Sequence, residues 1–279
     1  MRLLGLRDII DEPRSIVKGW NEGGIYDAIR DFYDHVLVYG SQDVYDSTSL
    51  YEFPSDLVAR TRYLNYVCDA LEPEGASAAT DDAEAPLVAV TIGGGDGGDE
   101  AVIQSYLEML ENFREEIDFR SEIIGGPLLS PERQRLYRDR ARGLPVVMRE
   151  FVDSTVPLFR RADLVVCTAG YNTSTQLLRN ARRAIMIPRV LHRDEQLIRA
   201  RRFEELGLVA CMHPNTVTPA RLLEEIRLCL GSTDEPLTRG RSSGNIPLDG
   251  SQRMVEFCSG LQVRCPSIAR AADTGAFVR

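Results

Sequence analysis

This 279-residue chain predicts an α/β fold built on a parallel sheet wound in both directions, and three observations lead there. From Pro86 onward, short apolar runs recur without polar alternation. Each run is followed by a segment of helical period. Glycines or helix-starting residues stand at the run ends. Strands buried on both faces read this way, because helices cover both sides of the sheet.

Taken in order, residues 1–68 predict a helix over 26–33, a strand at "HVLVYG" and another at "TRYLNYV". "EPEGASAATDDAEAP" is small, acidic and bounded by proline. It cannot bury a core and reads as a linker or exposed loop. The regular part then gives six strands, "PLVAVTI", "DFRSEIIGG", "PVVMREF", "ADLVVCTAG", "RAIMIP" and "GLVACM". Helices follow them over 100–113, 130–141, 154–161, 172–180, 194–206 and 219–230. Beyond Gly231 the regularity fails, one more helix is expected over 250–261, and the last dozen residues read as frayed. The expected division is 1–68, a loop at 69–85, a Rossmann-like domain at 86–231 and a partly disordered extension at 232–279. A doubly wound sheet binds ligands at the carboxyl ends of its strands.

Composition excludes several classes. The net charge of −9 argues against nucleic-acid binding, which needs a basic surface. No apolar run is long enough to span a bilayer. Residues 1–20 mix Arg and Asp with apolar residues, unlike a signal peptide. The six cysteines form no C-x-x-C pair and read as buried thiols of a reducing compartment. A cytoplasmic protein is expected.

Three stretches carry candidate chemistry. In "TIGGGDGGDEAV", Gly93, Gly95 and Gly98 fit G-x-G-x-x-G between a strand and a helix. Such a loop lets the backbone approach a phosphate, and a helix start adds free N–H groups; the bland alternative is a tight turn. A dinucleotide fold also wants an acid at the end of the next strand. Glu122 comes too early for that and Gly125 and Gly126 take its place, which counts against NAD. In "CTAGYNTSTQ", Thr168, Asn172, Thr173 and Ser174 are all capping types. Capping alone would employ one of them, and two helix starts facing one crevice suit a diphosphate. In "PRVLHRDEQLIRA", His192, Asp194, Glu195 and Gln196 supply mixed donors and acceptors of the kind that read sugar hydroxyls. Acids in a first helical turn also serve the helix dipole. His35 and His213 lack such company and read as structural.

"GGGDGG", "AGYNTSTQ" and "HRDEQ", in that order, resemble the C-terminal, nucleotide-sugar-binding half of a GT-B glycosyltransferase of family 28, the MurG-like group. "GLRDIIDEP", "YDHVLVYG", "IPRVLHRDEQLIRARRFEELGLV" and "IPLDGSQR" resemble predicted bacterial members of it. The resemblance implies that Gly94, Gly95, Asp96 and Gly97 face the diphosphate of a UDP-sugar, with Gly95 where a Ser often stands. It implies that the backbone at Phe151 and Val152 pairs with uracil. Gly170, Asn172 and Thr173 would bind phosphate at the helix start, and Gln196, beside His192, Asp194 and Glu195, the donor sugar. Gln176 stands where the family usually has a ribose-binding Glu. A Gln offers one acceptor oxygen and loses a charge-assisted bond. The resemblance implies no cofactor and no metal site, and names no catalytic base.

The family's complete enzymes begin with a whole acceptor domain, of which residues 1–68 resemble only the last elements. A truncated product, a misassigned start or a partner chain supplying the rest are the alternatives. The strand "HVLVYG" is expected to have lost sheet partners and to cause self-association or poor solubility, whereas a shorter chain starting near Ala85 is expected to stay soluble. The readings left open are a hexosyltransferase acting on an unknown acceptor, a nucleotide-sugar-binding module without turnover alone, and, less favoured, an NAD-linked oxidoreductase.

Overall fold

A computed structural model describes residues 1–68, 85–94, 97–181, 183–231 and 246–261. The expected linker and the end of the chain fall largely outside these. Two parallel sheets are present, with strand orders β1-β2-β3 and β6-β5-β4-β7-β8-β9.

The smaller lobe starts with β1 (Leu3–Arg7), α1 (Pro13–Glu22) and α2 (Ile25–Phe32), followed by β2 (His35–Tyr39). Short helices α3 (Ser47–Leu50) and α4 (Ser55–Arg60) lead to β3 (Thr61–Tyr63). Neither β1 nor α1 was expected from the sequence. α1 carries clear start signals all the same: Pro13 at its first position, and a Glu12 carboxylate accepting the Ser15 N–H at 2.8 Å. Val36 and Val38 of β2 face the helices with Ile9, Tyr26, Ile29, Tyr51, Phe53 and Leu57.

The expectation of an unpaired "HVLVYG" is corrected here. β2 is the centre of its sheet, paired with β1 from Leu3↔His35 to Arg7↔Tyr39 and with β3 on its other side. The open edges belong to β1 and β3. The second expected strand is also shorter than "TRYLNYV", since Leu64 onward leaves the sheet.

The larger lobe contains β4 (Leu87–Thr91), α5 (Ser105–Asn112), β5 (Arg120–Ile124), α6 (Pro131–Ala141), β6 (Val146–Arg149) and α7 (Val156–Arg161). It continues with β7 (Leu164–Cys167), α8 (Tyr171–Asn180), β8 (Ala184–Met186), α9 (Glu195–Glu205), β9 (Ala210–Cys211) and α10 (Pro219–Gly231). Every residue of β4, β7 and β8 is buried, as their unbroken apolar sequences require. The helix expected from Glu100 opens with a π-helical turn, Glu100–Gln104, before α5. The chain winds outward from β4 to β6, then restarts at β7 and winds the other way. The switch point therefore lies between the carboxyl ends of β4 and β7.

The last described helix, α11 (Gly250–Gly260), returns to the smaller lobe. Phe257 meets His35 edge-on at 5.3 Å, Asn65 Nδ2 donates to Asp249 at 2.7 Å, and Gly250 N donates to Tyr66 O at 3.0 Å. A Cβ on Gly250 would lie 2.7 Å from the Tyr66 carbonyl carbon and oxygen. That neighbour is backbone and cannot swing away. Gly250→Ala is therefore expected to lower stability by about 1–3 kcal/mol, the usual cost of overpacking. Calorimetric unfolding checks this, and an unchanged midpoint would mean that α11 is not seated there.

Candidate functional site

At the switch point the backbone is arranged to leave N–H groups open. Gly93 follows β4 with φ of +66°, a conformation that suits glycine, and its N–H donates to Thr91 Oγ1 at 3.1 Å. Across the switch point, α8 has Gly170 as its cap residue, which offers no side chain for that role. None of Thr168, Asn172, Thr173 or Ser174 takes over that role. Thr175 Oγ1 donates to Asn172 O at 3.0 Å, and Ser174 Oγ is buried with no partner among the described residues. A helix whose first N–H groups are not capped presents positive partial charge to whatever lies beyond it.

The two turns touch. Thr173 Oγ1 lies 2.8 Å from where a Cβ on Gly93 would stand. The glycine loop is tied onward as well, with Leu128 N donating to Gly94 O at 2.9 Å. Gly95 and Asp96 lie outside the described residues. Gly97 and Gly98 pack against the loop after β8, against Leu191 and Arg189 in the case of Gly97.

Gln196 is buried on the first turn of α9. Its Oε1 accepts the N–H groups of Ala169 and Arg189, each at 3.1 Å. The acceptor end of this side chain therefore braces two loops. Only its Nε2, 4.0 Å from a Cβ position on Gly170, is left to face the turn. Glu195 Oε1 lies 3.7 Å from Arg189, and its Oε2 is buried with no hydrogen-bond partner among the described residues. A buried carboxylate oxygen without a donor is costly to keep. His192 and Asp194 are exposed.

Gln176 lies one helical turn beyond Thr173. Its Oε1 accepts from Thr155 Oγ1 at 2.7 Å, which links α8 to the loop after β6. Phe151, 54% exposed, and Val152, packed against the core, lie on that same loop. A cleft of about 720 Å³ opens between the lobes, with Arg7, Tyr39, Cys68, Asn172, Gln176 and Ser251 in its wall. A separate cavity of about 630 Å³ is lined by Gly97, Gly98, Arg133, Arg189 and Leu191. Gly94, Thr173, Phe151, Val152 and Gln196 line neither. The structure thus joins Gly93 with Thr173 and Gly170 with Gln196, and ties Gln176 to Thr155. It leaves His192 and Asp194 at the surface.

The tip of β5 carries no acid. Glu122 stands two residues before the strand's last residue, Ile124, and is held by Arg149 at 2.6 Å and by Arg161. Gly125 and Gly126 form the tip and donate to Arg149 O and Glu150 O.

Four contributors escaped the sequence reading: Arg7, Asp8, Thr155 and Arg199. Arg199 is entirely buried and gives two bonds to Asp8, at 3.0 and 2.7 Å, and one to Ala169 O, at 2.7 Å. One signal was available. Arg199 lies three residues after Gln196, on the same helix face.

A sequence model of the glycosyltransferase family 28 C-terminal domain matches residues 89–254, more than half of the chain. The UDP-N-acetylglucosamine–N-acetylmuramyl-(pentapeptide) pyrophosphoryl-undecaprenol N-acetylglucosamine transferase of Shewanella amazonensis is 29% identical over 116 residues. That similarity covers 40% of this chain and only 32% of the transferase. The crystal structure of MurG from Acinetobacter baumannii superposes with a TM-score of 0.51 at 18% identity, covering 89% of this chain and 79% of that one. The OtsA apo structure gives 0.59 at 13% identity, covering 95% and 68%. At these identities the structural likeness speaks for the fold alone. Among the described residues, no helix is long and apolar enough to cross a membrane.

Proposed function

The chain belongs to glycosyltransferase family 28 through its C-terminal domain, and from that premise we propose that it binds a UDP-sugar and serves as the donor side of a hexosyl or N-acetylhexosaminyl transfer. The observation that carries the reading is the uncapped start of α8 facing the Gly93 turn at the sheet's switch point. A diphosphate seated there would meet backbone N–H groups and the positive end of a helix dipole. As the acceptor hydroxyl attacks the anomeric carbon, the bond to UDP breaks and charge grows on the leaving diphosphate. Fixed N–H donors stabilise that charge more than they stabilise the bound donor.

Around this centre, Gly94 to Gly97 would flank the diphosphate and Phe151 and Val152 the base. Thr173 would donate its hydroxyl to a phosphate oxygen, and Gln176 would stand at the ribose. Gln196, through Nε2, and Glu195 beside it would meet the sugar hydroxyls. The acceptor would enter by the cleft beside Arg7 and Tyr39. Titration calorimetry with UDP, UDP-N-acetylglucosamine and NAD tests the reading. Binding of the two uridine ligands without NAD is expected, and binding of NAD alone would overturn it.

A second reading is favoured by one observation. Gln176 already gives its acceptor oxygen to Thr155, so the ribose meets a weaker partner than a carboxylate. A donor-binding module without turnover alone fits that arrangement. Gln176→Glu is expected to tighten UDP by about 1 kcal/mol, the scale of one net hydrogen bond. It should do much less for 2′,3′-dideoxy-UDP. Equal effects on the two ligands would remove the side chain from the ribose.

A further inference from the structure

The segment "GLRDIIDEP" resembles family sequences, yet the donor reading gives it no task. In the fold it is the end of β1 and the loop that follows, and it reaches the larger lobe at several points. Asp8 and Arg199 are each 1% exposed and form a two-bond ion pair between lobes. Asp11 Oδ1 accepts the Asp194 N–H at 2.8 Å, at the start of α9. The Arg7 and Arg199 guanidinium groups lie 5.9 and 5.8 Å from the ring centre of Tyr171, the first residue of α8. The Tyr171 hydroxyl in turn accepts Val67 N at 3.0 Å.

The bonds at Ala169 give this arrangement a meaning. Its N–H goes to Gln196 Oε1 and its carbonyl to Arg199 Nη1. One face of α9 therefore grips both sides of the residue just before Gly170. Gln196 is fixed by a second backbone donor, Arg189 N. Arg199 is fixed by Asp8. Without Asp8, the guanidinium would be a buried charge held only by the Ala169 carbonyl and the face of the Tyr171 ring, with no counter-ion, and it would have to move or draw in water. The turn would lose the brace that sets the direction of the α8 N–H groups.

We propose that Asp8 is a positioning residue of the donor site: through Arg199 it holds the Ala169 carbonyl, and so aims the start of α8 at the donor's diphosphate. This rests on the reading that the diphosphate sits at that helix start. The smaller lobe is then more than an acceptor wall, because it sets donor geometry through one carboxylate. The effect belongs to the diphosphate only. Phe151, Val152 and Gln176 do not touch this brace, so the nucleoside part of the ligand should not sense its loss.

The test compares UDP with uridine on the full chain by NMR titration, for the wild type, Asp8→Asn and Arg199→Lys. The lysine keeps a positive charge for Asp8 but lacks the fork that reaches Ala169 as well. Melting curves verify that each variant is folded. In both, UDP affinity is expected to fall about tenfold, the equivalent of one bond to a charged group, with uridine affinity unchanged. If Asp8→Asn does not fold, Arg199→Lys decides the matter. A folded variant that binds UDP as the wild type does would overturn the proposal. So would equal losses for UDP and uridine, which describe a merely structural pair. A wild type that binds neither ligand would instead refute the donor reading, and the proposal with it.

Discussion

Thr173→Glu is expected to abolish UDP binding. The Thr173 hydroxyl is where the turn after β4 meets the start of α8, 2.8 Å from a Cβ position on Gly93. A glutamate there has no room toward the glycine loop and must extend into the space before the helix start. Its charge would then lie within about 4 Å of a phosphate. At the effective dielectric of a surface crevice, two unit charges at that distance repel by about 4 kcal/mol. That is roughly three orders of magnitude in Kd. The glutamate would also occupy the open α8 N–H groups itself, as an internal anion. Thr173→Ser, which keeps the hydroxyl, should bind UDP nearly as the wild type does. Calorimetric titration of both variants is the check. Wild-type affinity in Thr173→Glu would remove the diphosphate from this place.

The largest effect on stability is expected at Asp8. Asp8→Ala leaves Arg199 charged, fully buried and short of two hydrogen bonds. Removing one partner of a buried pair typically costs about 3–5 kcal/mol. For a chain of this size that corresponds to a fall in Tm of about 10 °C. Replacing both partners is a different experiment. Asp8→Leu with Arg199→Met removes the desolvated charges and fills the space with apolar atoms, an exchange that is often close to neutral. The double variant should therefore melt well above Asp8→Ala, and below the wild type by the cost of the Ala169 carbonyl that loses Arg199, about 1–3 kcal/mol. If Asp8→Ala alone melts like the wild type, the pair is not buried in solution and the lobes are not joined there.

The parts of the fold that were legible in the sequence share one property: burial on both faces. "PLVAVTI" and "ADLVVCTAG" admit no polar alternation, so they read as central strands, and β4 and β7 are the two central strands. β1 was not legible for the opposite reason. "LLGLR" alternates glycine and a charge with leucines, and it is a half-exposed edge strand. Missing it made β2 look unpartnered, although "HVLVYG" was read correctly as a strand. The glycine loop and the polar start of α8 were legible because they are local signals. What each polar residue does there was not. Of the four capping types, Thr168, Asn172, Thr173 and Ser174, one was expected to serve as the cap, yet the cap position is Gly170. Gln196 suggested a sugar contact, yet its oxygen braces two backbone loops. Asp8 and Arg199 stand 191 positions apart, and charged residues in such segments read as solvent-facing. Only the folded chain brings them together.

The return of α11 to the smaller lobe bears on how this protein is made. β2 leaves the ribosome long before Phe257, which packs on its His35 face, and before Gly250, which docks on Tyr66. At ordinary elongation rates the interval is on the order of ten seconds or more. Throughout it the first sheet is formed on its helical side and bare on the other, and Arg199, the partner of Asp8, is also still to come. The smaller lobe is thus synthesised before the larger one and completed after it. Nascent chains stalled before Gly250 should be cut by protease within 1–68, and chains stalled after Leu261 has emerged should resist.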